Sequence, residues 1–335
     1  MSLMQFQELL KKEPKYRLAQ AKKALFRDLI ESWQEATALP LSLREELDKK
    51  CSIEKPENTF ISKDKNTVKN LFILADGLKV ETVLMRHKDK RNTVCVSSQV
   101  GCPLGCSFCA TGKMGFKRNL ESWEIIEQVL FFARYLKKEK EKVSNIVFMG
   151  MGEPFLNYQH VIEAIKTLND KEGFNLGARH FSISTVGITE GIEELAKEKL
   201  QINLAISLHA PDNELRSRLM PINKTYPIEK VLSAVDNYIE KTRRRVMFEY
   251  IMIKDLNDSE EKAEALAKLM KKPLYFVNLI SYNPTESFKA SLPSKIKKFK
   301  EVLEKEGVAV TQRYRFGQDI EGACGQLAAK MFSIE

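Results

Sequence analysis

No stretch of this chain approaches the roughly 18 consecutive apolar residues of a membrane span. Its first residues, Met1-Ser-Leu-Met-Gln-Phe6, lack the basic-then-apolar form of a secretory signal. The sequence therefore predicts a cytoplasmic protein. Cysteine is sparse: six in 335 residues are too few for a disulfide scaffold, and a reducing compartment keeps them as thiols. There is no internal repeat and no low-complexity tract, so no repeat architecture is expected. What is present is a modest excess of positive charge, 54 Lys+Arg against 45 Asp+Glu, for a net +9 and a pI near 9.0. Such a surface attracts polyanions such as RNA. With 43% hydrophobic residues the chain can bury a core, and its length suits one large domain plus a small one.

Half of the cysteines fall in one stretch, Cys102-Pro-Leu-Gly-Cys106-Ser-Phe-Cys109. Three thiolates at C-x3-C-x2-C spacing in a glycine-containing loop can fold round one soft metal centre, because sulfur is the preferred ligand of iron–sulfur clusters and zinc. Structural zinc wants four ligands, and no nearby Cys or His supplies the fourth. A four-iron cubane held by three cysteines keeps one iron open for a substrate. Zinc with a distant fourth ligand, or buried free thiols with no metal, are the alternatives on spacing alone.

Further segments bear on the choice. Cys95-Val-Ser-Ser-Gln-Val-Gly-Cys102 precedes the loop and Ala110-Thr-Gly follows it. Met149-Gly-Met-Gly-Glu153-Pro, Ser207-Leu-His209 and Ala323-Cys324-Gly-Gln-Leu327 lie further on. In this order they resemble the RlmN/Cfr family of radical S-adenosylmethionine (SAM) RNA-adenosine methyltransferases. The resemblance runs from about Glu81 to the C-terminus and is weaker before it.

Along the chain, residues from Met4 to about Lys50 read as a helical bundle, with Leu18, Ala21, Leu25, Leu29 and Trp33 recurring every three or four residues. Its other face carries Lys15, Arg17, Lys22, Lys23 and Arg27, either a solvated face or a contact to RNA phosphates; the resemblance favours contact. Short strands follow at Val68 to Leu74, Lys79 to Arg86 and Thr93 to Ser98, a β-meander leading to the cysteine loop. After the loop, helices centred on Ile125 to Leu136, His160 to Leu168, Ile192 to Lys197, Ile228 to Lys241, Glu261 to Lys271 and Lys295 to Glu306 alternate with apolar strands. Those strands are Ile146 to Met149, Phe181 to Ser184, Ile202 to Ser207, Val246 to Ile253, Tyr275 to Ile280 and Val308 to Thr311. Alternation of this kind predicts an α/β fold with a parallel sheet, here a partial (β/α)6 barrel. The expected division is a helical accessory domain (1–60), a β-meander extension (61–98), the partial barrel (99–315) and a C-terminal segment (316–335). Cys51, at the end of a helix, reads as structural or incidental.

In barrels of this kind the C-terminal strand ends line the site. Gly152 and Glu153 end one strand, Ser184 another and Ser207 a third, and Asn283 follows a fourth. A Gly-x-Gly-Glu turn alone is more often just a tight turn, and His209 alone more often a core histidine. The resemblance implies instead that Cys102, Cys106 and Cys109 hold a [4Fe-4S] cluster. It further implies that Gly152, Glu153, Ser184, Ser207, Leu208, His209 and Asn283 contact SAM. Glu81, in Val80-Glu-Thr-Val83, would by itself be an exposed strand carboxylate; the resemblance implies an acid/base role.

The resemblance also implies how two SAM molecules are used per turnover. Carbon 2 of adenine is not a nucleophile, so a radical route is needed. Cys324 accepts a methyl from one SAM as a thiolate nucleophile. A second SAM, cut by the reduced cluster, gives a 5′-deoxyadenosyl radical that removes hydrogen from that methyl, and the thiomethylene radical adds to adenine. Cys95 then releases the adduct, deprotonating it and forming a disulfide with Cys324. The implied substrates are 23S rRNA in its peptidyl transferase region and tRNA beside the anticodon, with an electron donor such as flavodoxin and its reductase. Arg243-Arg-Arg245, Lys137-Lys-Glu-Lys140 and Lys295 to Lys300 are available for phosphates or are solvated helix faces. The target base must be flipped to reach the site. A monomer is the default expectation.

Glu153-Pro-Phe-Leu-Asn157 is similar to the E-P-L-L-N of the RlmN branch, whereas the Cfr branch carries alanine after the glutamate. Phe316-Gly-Gln-Asp-Ile320 is closer to Cfr, and Gly322 departs from the alanine common to both. The expectation is carbon-2 methylation, with Cfr-type carbon-8 methylation as the alternative. An RNA-binding protein that has lost catalysis is the alternative from another class, and a radical SAM enzyme acting on a small molecule is a third.

Overall fold

The computed structural model describes residues 3–53, 58–284 and 288–328; the expected C-terminal segment is thus described as far as residue 328. The N-terminal unit contains helices α1 (Leu3–Lys11), α2 (Lys15–Lys22) and α3 (Leu41–Lys50), with a π-helical turn at Lys23–Arg27 and a 3-10 turn at Trp33–Glu35. Leu25, Trp33, Leu43, Leu47 and Cys51 are buried together, and the Trp33 indole N–H donates to the Cys51 carbonyl at 2.7 Å. Burial pushes the Cys51 thiol up to about 11, which fits a structural cysteine.

The basic face of this unit departs from expectation. Lys22 pairs with Asp170 at 2.9 Å, and Arg27 donates to the carbonyls of Lys171 and Gly173. Arg134 Nε also donates to the Ile30 carbonyl at 2.9 Å, and the Phe6 ring lies 6.3 Å from that of Trp123. Lys22 and Arg27 therefore dock the unit onto the barrel instead of facing solvent as part of one free stripe.

The next strands are β1 (Asn58–Ile61), β2 (Thr67–Ile73), β3 (Lys79–Arg86) and β4 (Asn92–Val96). Then β5 (Gln99–Gly101) and β6 (Phe116–Asn119) form a small two-stranded sheet flanking α4 (Ala110–Lys113). The alternating part follows: α5 (Ser122–Lys138), β7 (Asn145–Phe148), α6 (Tyr158–Asn169), β8 (Phe181–Thr185), α7 (Thr189–Leu195), β9 (Asn203–Ser207), α8 (Asn213–Leu219) and α9 (Ile228–Thr242). It ends with β10 (Val246–Met252), α10 (Glu260–Met270), β11 (Tyr275–Ser281), α11 (Pro293–Lys305) and β12 (Val310–Gln312). The large sheet has the order β1-β2-β3-β4-β7-β8-β9-β10-β11-β12. Pairing is antiparallel up to β4 and parallel from β4 to β12.

This is the expected partial barrel of strand–helix units: β7 to β12 are its six expected strands, and β4, expected in the meander, joins them as a further parallel strand. The parallel strands read as continuous apolar runs because both of their faces are covered; in β10 only Met247 of seven residues is less than buried. The helices bury one stripe: in α9 it is Ile228, Val231, Ala234, Val235 and Tyr238, the spacing of a helix packed on a sheet. Helix α5 begins with a reciprocal capping box between Glu121 and Glu124, which satisfies amide donors that the first turn would otherwise leave free. The sheet runs without a break through the expected division at 98/99, since β4 pairs with the meander on one side and with β7 on the other. Among the described residues no helix is long and apolar enough to cross a membrane.

Candidate active site

The cysteine loop leaves β5 and enters α4 across the C-terminal ends of the parallel strands. Gly101 has φ +75°, and a Cβ there would lie 1.8 Å from the Gly115 carbonyl oxygen, so only glycine lets the two strands of the hairpin approach. The Cys109 amide donates to the Cys106 carbonyl at 3.1 Å, and Ser107 N donates to the Leu219 carbonyl at 2.9 Å. Cys102, Cys106 and Cys109 all line one cavity. Burial pushes the Cys102 thiol up to about 12 and that of Cys106 higher still.

The opposite wall of this cavity is built from strand ends. Gly150, Gly152 and Glu153 follow β7, Ser184 lies in β8, Ser207 ends β9 and His209 follows it. Gly152 has φ +102°, and a Cβ there would fall 2.6 Å from Gln99 Cβ. Glu153 is buried; its Oε1 accepts from Phe155 N at 3.1 Å and its Oε2 from Val186 N at 2.9 Å. Burial outweighs those hydrogen bonds and raises its carboxyl to about 7. His209 sits at φ +62°, and its Nδ1 accepts from Ile251 N at 3.2 Å, which leaves Nε2 as the N–H of the neutral ring. Burial, then the nearby Arg216, holds it down to about 3.

Three charged side chains that the sequence did not single out organise the site. Glu249, on β10, stands in register with Ser207. Its Oε2 accepts from Ser184 Oγ at 2.6 Å, and Ser184 Oγ is 3.2 Å from Ser207 Oγ. Glu249 Oε1 accepts no hydrogen bond and lies 3.6 Å from an Arg313 nitrogen. Arg313 follows β12 and donates to Cys324 Sγ at 3.3 Å and to Met149 Sδ at 3.1 Å. Arg216, fully buried on α8, donates to the carbonyls of Val186, Ser207, Leu208 and Tyr226 and to Asn223 Oδ1, tying the ends of β8 and β9 together. A lone carboxylate inside the apolar run Val246-Met-Phe-Glu-Tyr-Ile-Met252 was a readable signal for Glu249. Arg216 and Arg313 carry no comparable local signal.

A second, narrower cavity adjoins the first. Cys95, Val83, Met85 and Val147 line it, and Met149, Ile280, Arg313, Cys324 and Leu327 line both cavities. Cys324 thus stands on the common wall, with Cys95 in the second cavity. Burial, then the neighbouring Cys324, pushes the Cys95 thiol up to about 12. All six cysteines are free thiols, so Cys95 and Cys324 are not bonded. The segment carrying Cys324 is clamped to the cysteine loop: Ala110 N donates to the Gly325 carbonyl at 2.8 Å and Thr111 Oγ1 to the Leu327 carbonyl at 2.6 Å.

Comparison with known proteins agrees with this geometry. The radical SAM superfamily model matches residues 96–267. A Dictyoglomus turgidum protein described as a probable dual-specificity RNA methyltransferase RlmN is 48% identical over 319 residues, 95% of this chain and 91% of its own. A Chloroflexus aurantiacus protein of the same description is 46% identical, over 98% of this chain and 92% of its own. The crystal structure of a radical SAM methyltransferase from Sphaerobacter thermophilus superposes with a TM-score of 0.94 at 42% identity, covering 98% of both chains. This chain belongs to the RlmN/Cfr family of radical SAM RNA methyltransferases.

Membership in the RlmN/Cfr family implies a [4Fe-4S] cluster and SAM, and the donor set fits them. The three thiols of Cys102, Cys106 and Cys109 line one cavity, and cysteine thiolates are the ligands that hold iron–sulfur clusters. Glu249 Oε1, buried without a hydrogen bond, and Glu153 line the same cavity, and carboxylate acceptors of this kind fit the ammonium and hydroxyl groups that SAM carries.

Three of the expected site residues do not line the first cavity. Leu208 is fully buried and lines neither cavity; its amide donates to the Glu249 carbonyl at 3.1 Å. Asn283 lines the second cavity only, donating to the Cys324 carbonyl at 3.3 Å. Glu81 is buried, not exposed, and lines neither cavity. It pairs with the buried Lys69 at 3.0 Å and accepts from Ala328 N at 2.8 Å.

The basic runs are largely engaged. Lys298 pairs with Glu260 at 2.6 Å and Lys138 with Glu31 at 2.6 Å. Arg244 donates to Asn203 Oδ1 at 2.8 Å, and Arg245 lies 4.4 Å over the Phe276 ring. The triplet Arg243 to Arg245 precedes β10, at the end of the barrel away from the cysteines.

Proposed function

We propose that this chain methylates carbon 2 of an adenosine in 23S rRNA, and of a tRNA adenosine beside the anticodon, with Cys324 as the methyl carrier. The observation that carries this is the position of Cys324 on the wall shared by two cavities, one lined by the three loop cysteines and the other by Cys95. A carrier must meet a methyl donor on one side and an acceptor base on the other. The relatives' description as dual-specificity RNA methyltransferases supports two classes of RNA.

Cys102, Cys106 and Cys109 would hold the cluster, which when bound supplies the electron for reductive SAM cleavage. Glu153, Ser184, Ser207, His209 and Glu249 bind and orient SAM in the first cavity. Cys324 Sγ attacks the SAM methyl carbon: an S–C bond forms, the sulfonium–methyl bond breaks and S-adenosylhomocysteine leaves with the bonding pair. Arg313 stabilises negative charge on the attacking sulfur. The apolar walls of the second cavity, Val83, Met85, Val147 and Ile280, exclude water from a flipped adenine. Cys95, in the same cavity, takes the proton from the adduct's ring carbon and then bonds to Cys324 Sγ; the Sγ–methylene bond breaks as the S–S bond forms, and the methylene carbon keeps that bonding pair and takes up a proton to become the product methyl. A flavodoxin-type donor, a monomeric state and a cytoplasmic setting follow from family likeness.

Nucleoside analysis of RNA incubated with the cluster-loaded enzyme, SAM and a reductant tests this proposal. The expected product is 2-methyladenosine. Release of 8-methyladenosine would assign the Cfr-type reaction, and an absence of methylated adenosine in both rRNA and tRNA would overturn the assignment. The Phe316-Gly-Gln-Asp-Ile320 segment, which borders the second cavity through Phe316, is what keeps carbon 8 as the second reading.

A further inference from the structure

The second cavity has an aromatic and cationic rim that the methyl-transfer chemistry does not use. Tyr314 and Phe316 border the cavity together with Arg315. The Phe316 ring is 9% exposed and packs edge-on between His87, at 4.9 Å and 69°, and Tyr314, at 5.1 Å and 70°. His87 is fixed from behind by a 2.9 Å contact between its Nε2 and Thr93 Oγ1. The Tyr314 ring, buttressed in this way, is nevertheless 57% exposed. Lys88 Nζ lies 5.7 Å from the Tyr314 ring centre. Neither Lys88 nor Arg315 has an ion-pair partner among the described residues, in contrast to the engaged basic runs elsewhere.

An exposed, rigidly backed aromatic ring flanked by unpaired cations at a cavity mouth is the arrangement that binds an unstacked nucleotide: the ring stacks on the base and the cations meet its phosphates. Flipping one base into the cavity breaks its stacking with both neighbours, so a neighbouring base is left with one bare face at the position Tyr314 occupies. We propose that the Tyr314 ring is the stacking platform for the nucleobase adjacent to the flipped adenosine, with Lys88 and Arg315 contacting the flanking phosphates. This rests on the assignment of the second cavity to the target base. Phe316 and His87 hold the platform upright without touching the RNA.

The test uses the full chain and an RNA hairpin whose single-stranded loop carries one adenosine flanked by 2-aminopurine, a base whose fluorescence is quenched on stacking. Wild type and Tyr314→Phe are expected to quench the probe and bind alike. Tyr314→Ala is expected to lose the quenching and to bind about tenfold more weakly, as loss of one base–aromatic stack implies. Lys88→Ala and Arg315→Ala should each weaken binding while lowering the salt slope by about one. Tyr314 is exposed, so its replacement leaves the core intact. Equal quenching and equal affinity for Tyr314→Ala would overturn the platform while leaving the methyltransferase assignment standing. If wild type fails to bind the hairpin and rRNA alike, both fall. Methylation of Cys324, read by mass on the same Tyr314→Ala protein, should match wild type, because that step precedes RNA.

Discussion

The Arg313 guanidinium donates a hydrogen bond to Cys324 Sγ at 3.3 Å while standing 3.6 Å from Glu249 Oε1. One cation is thus shared between the sulfur on the common wall and a buried carboxylate in the first cavity. Hydrogen bonds to charged groups contribute about 1.5–3 kcal/mol, so Arg313→Met should slow methylation of Cys324 by about 10–100-fold, with Arg313→Lys in between. A time course of S-methylation by intact mass checks this, and a wild-type rate in Arg313→Met would remove Arg313 from the step.

Glu81 and Lys69 form a buried pair beneath the segment that carries Cys324. Removing one member of such a pair leaves an uncompensated charge and costs about 3–5 kcal/mol. Glu81→Gln should therefore unfold at lower urea, and the double variant Lys69→Met/Glu81→Gln should recover part of the loss. If Glu81→Gln kept wild-type stability but lost turnover, a chemical role for Glu81 would be favoured over an anchoring one.

At Gly152, alanine would bring both a left-handed residue and a Cβ 2.6 Å from Gln99. The turn that presents the Glu153 carboxylate cannot absorb both without moving, and such strain costs about 1–3 kcal/mol. Gly152→Ala should lose SAM affinity while keeping iron content, as measured by equilibrium binding and iron analysis. Unchanged SAM affinity would mean that the turn is not part of the binding wall.

The alternating strands and helices were legible because burial on both faces of a parallel strand and on one stripe of a helix leaves a period in the sequence. Strand β1 was missed: Asn58-Thr-Phe-Ile61 is a short edge strand with only half-buried and exposed residues, so no apolar run marks it. The β5–β6 hairpin and α8 were missed because a few residues cannot display a period. Cys102, Cys106 and Cys109 were legible as a group because their spacing is local. Arg313 was not, since it follows the last strand and meets Glu249 and Cys324 only when the sheet forms. Asn283 and Leu208 follow strand ends as expected, yet strand position alone does not fix which cavity a side chain enters.

Glu153 gives a pH dependence with a definite sign. Its folded-state pKa, raised by burial from 4.5 to about 7, means that the folded protein binds more protons than the unfolded chain between those values. Its contribution is therefore full below about 4.5 and declines as pH rises through about 7. Glu153→Gln cannot titrate there. Without added SAM, the stability difference between wild type and Glu153→Gln should shift in favour of the variant as pH rises across that window. A difference independent of pH, measured by urea unfolding at several pH values, would contradict the burial of a protonatable carboxyl.

The most direct measurement is the mass of the Cys324 peptide from protein expressed with iron and purified without oxygen. If Cys324 carries the methyl between the two cavities, the peptide is one methyl group heavier, and Cys324→Ala protein keeps its iron but methylates no RNA. An unmodified Cys324 after incubation with SAM and a reductant, in protein that still methylates adenosine, would contradict the carrier role.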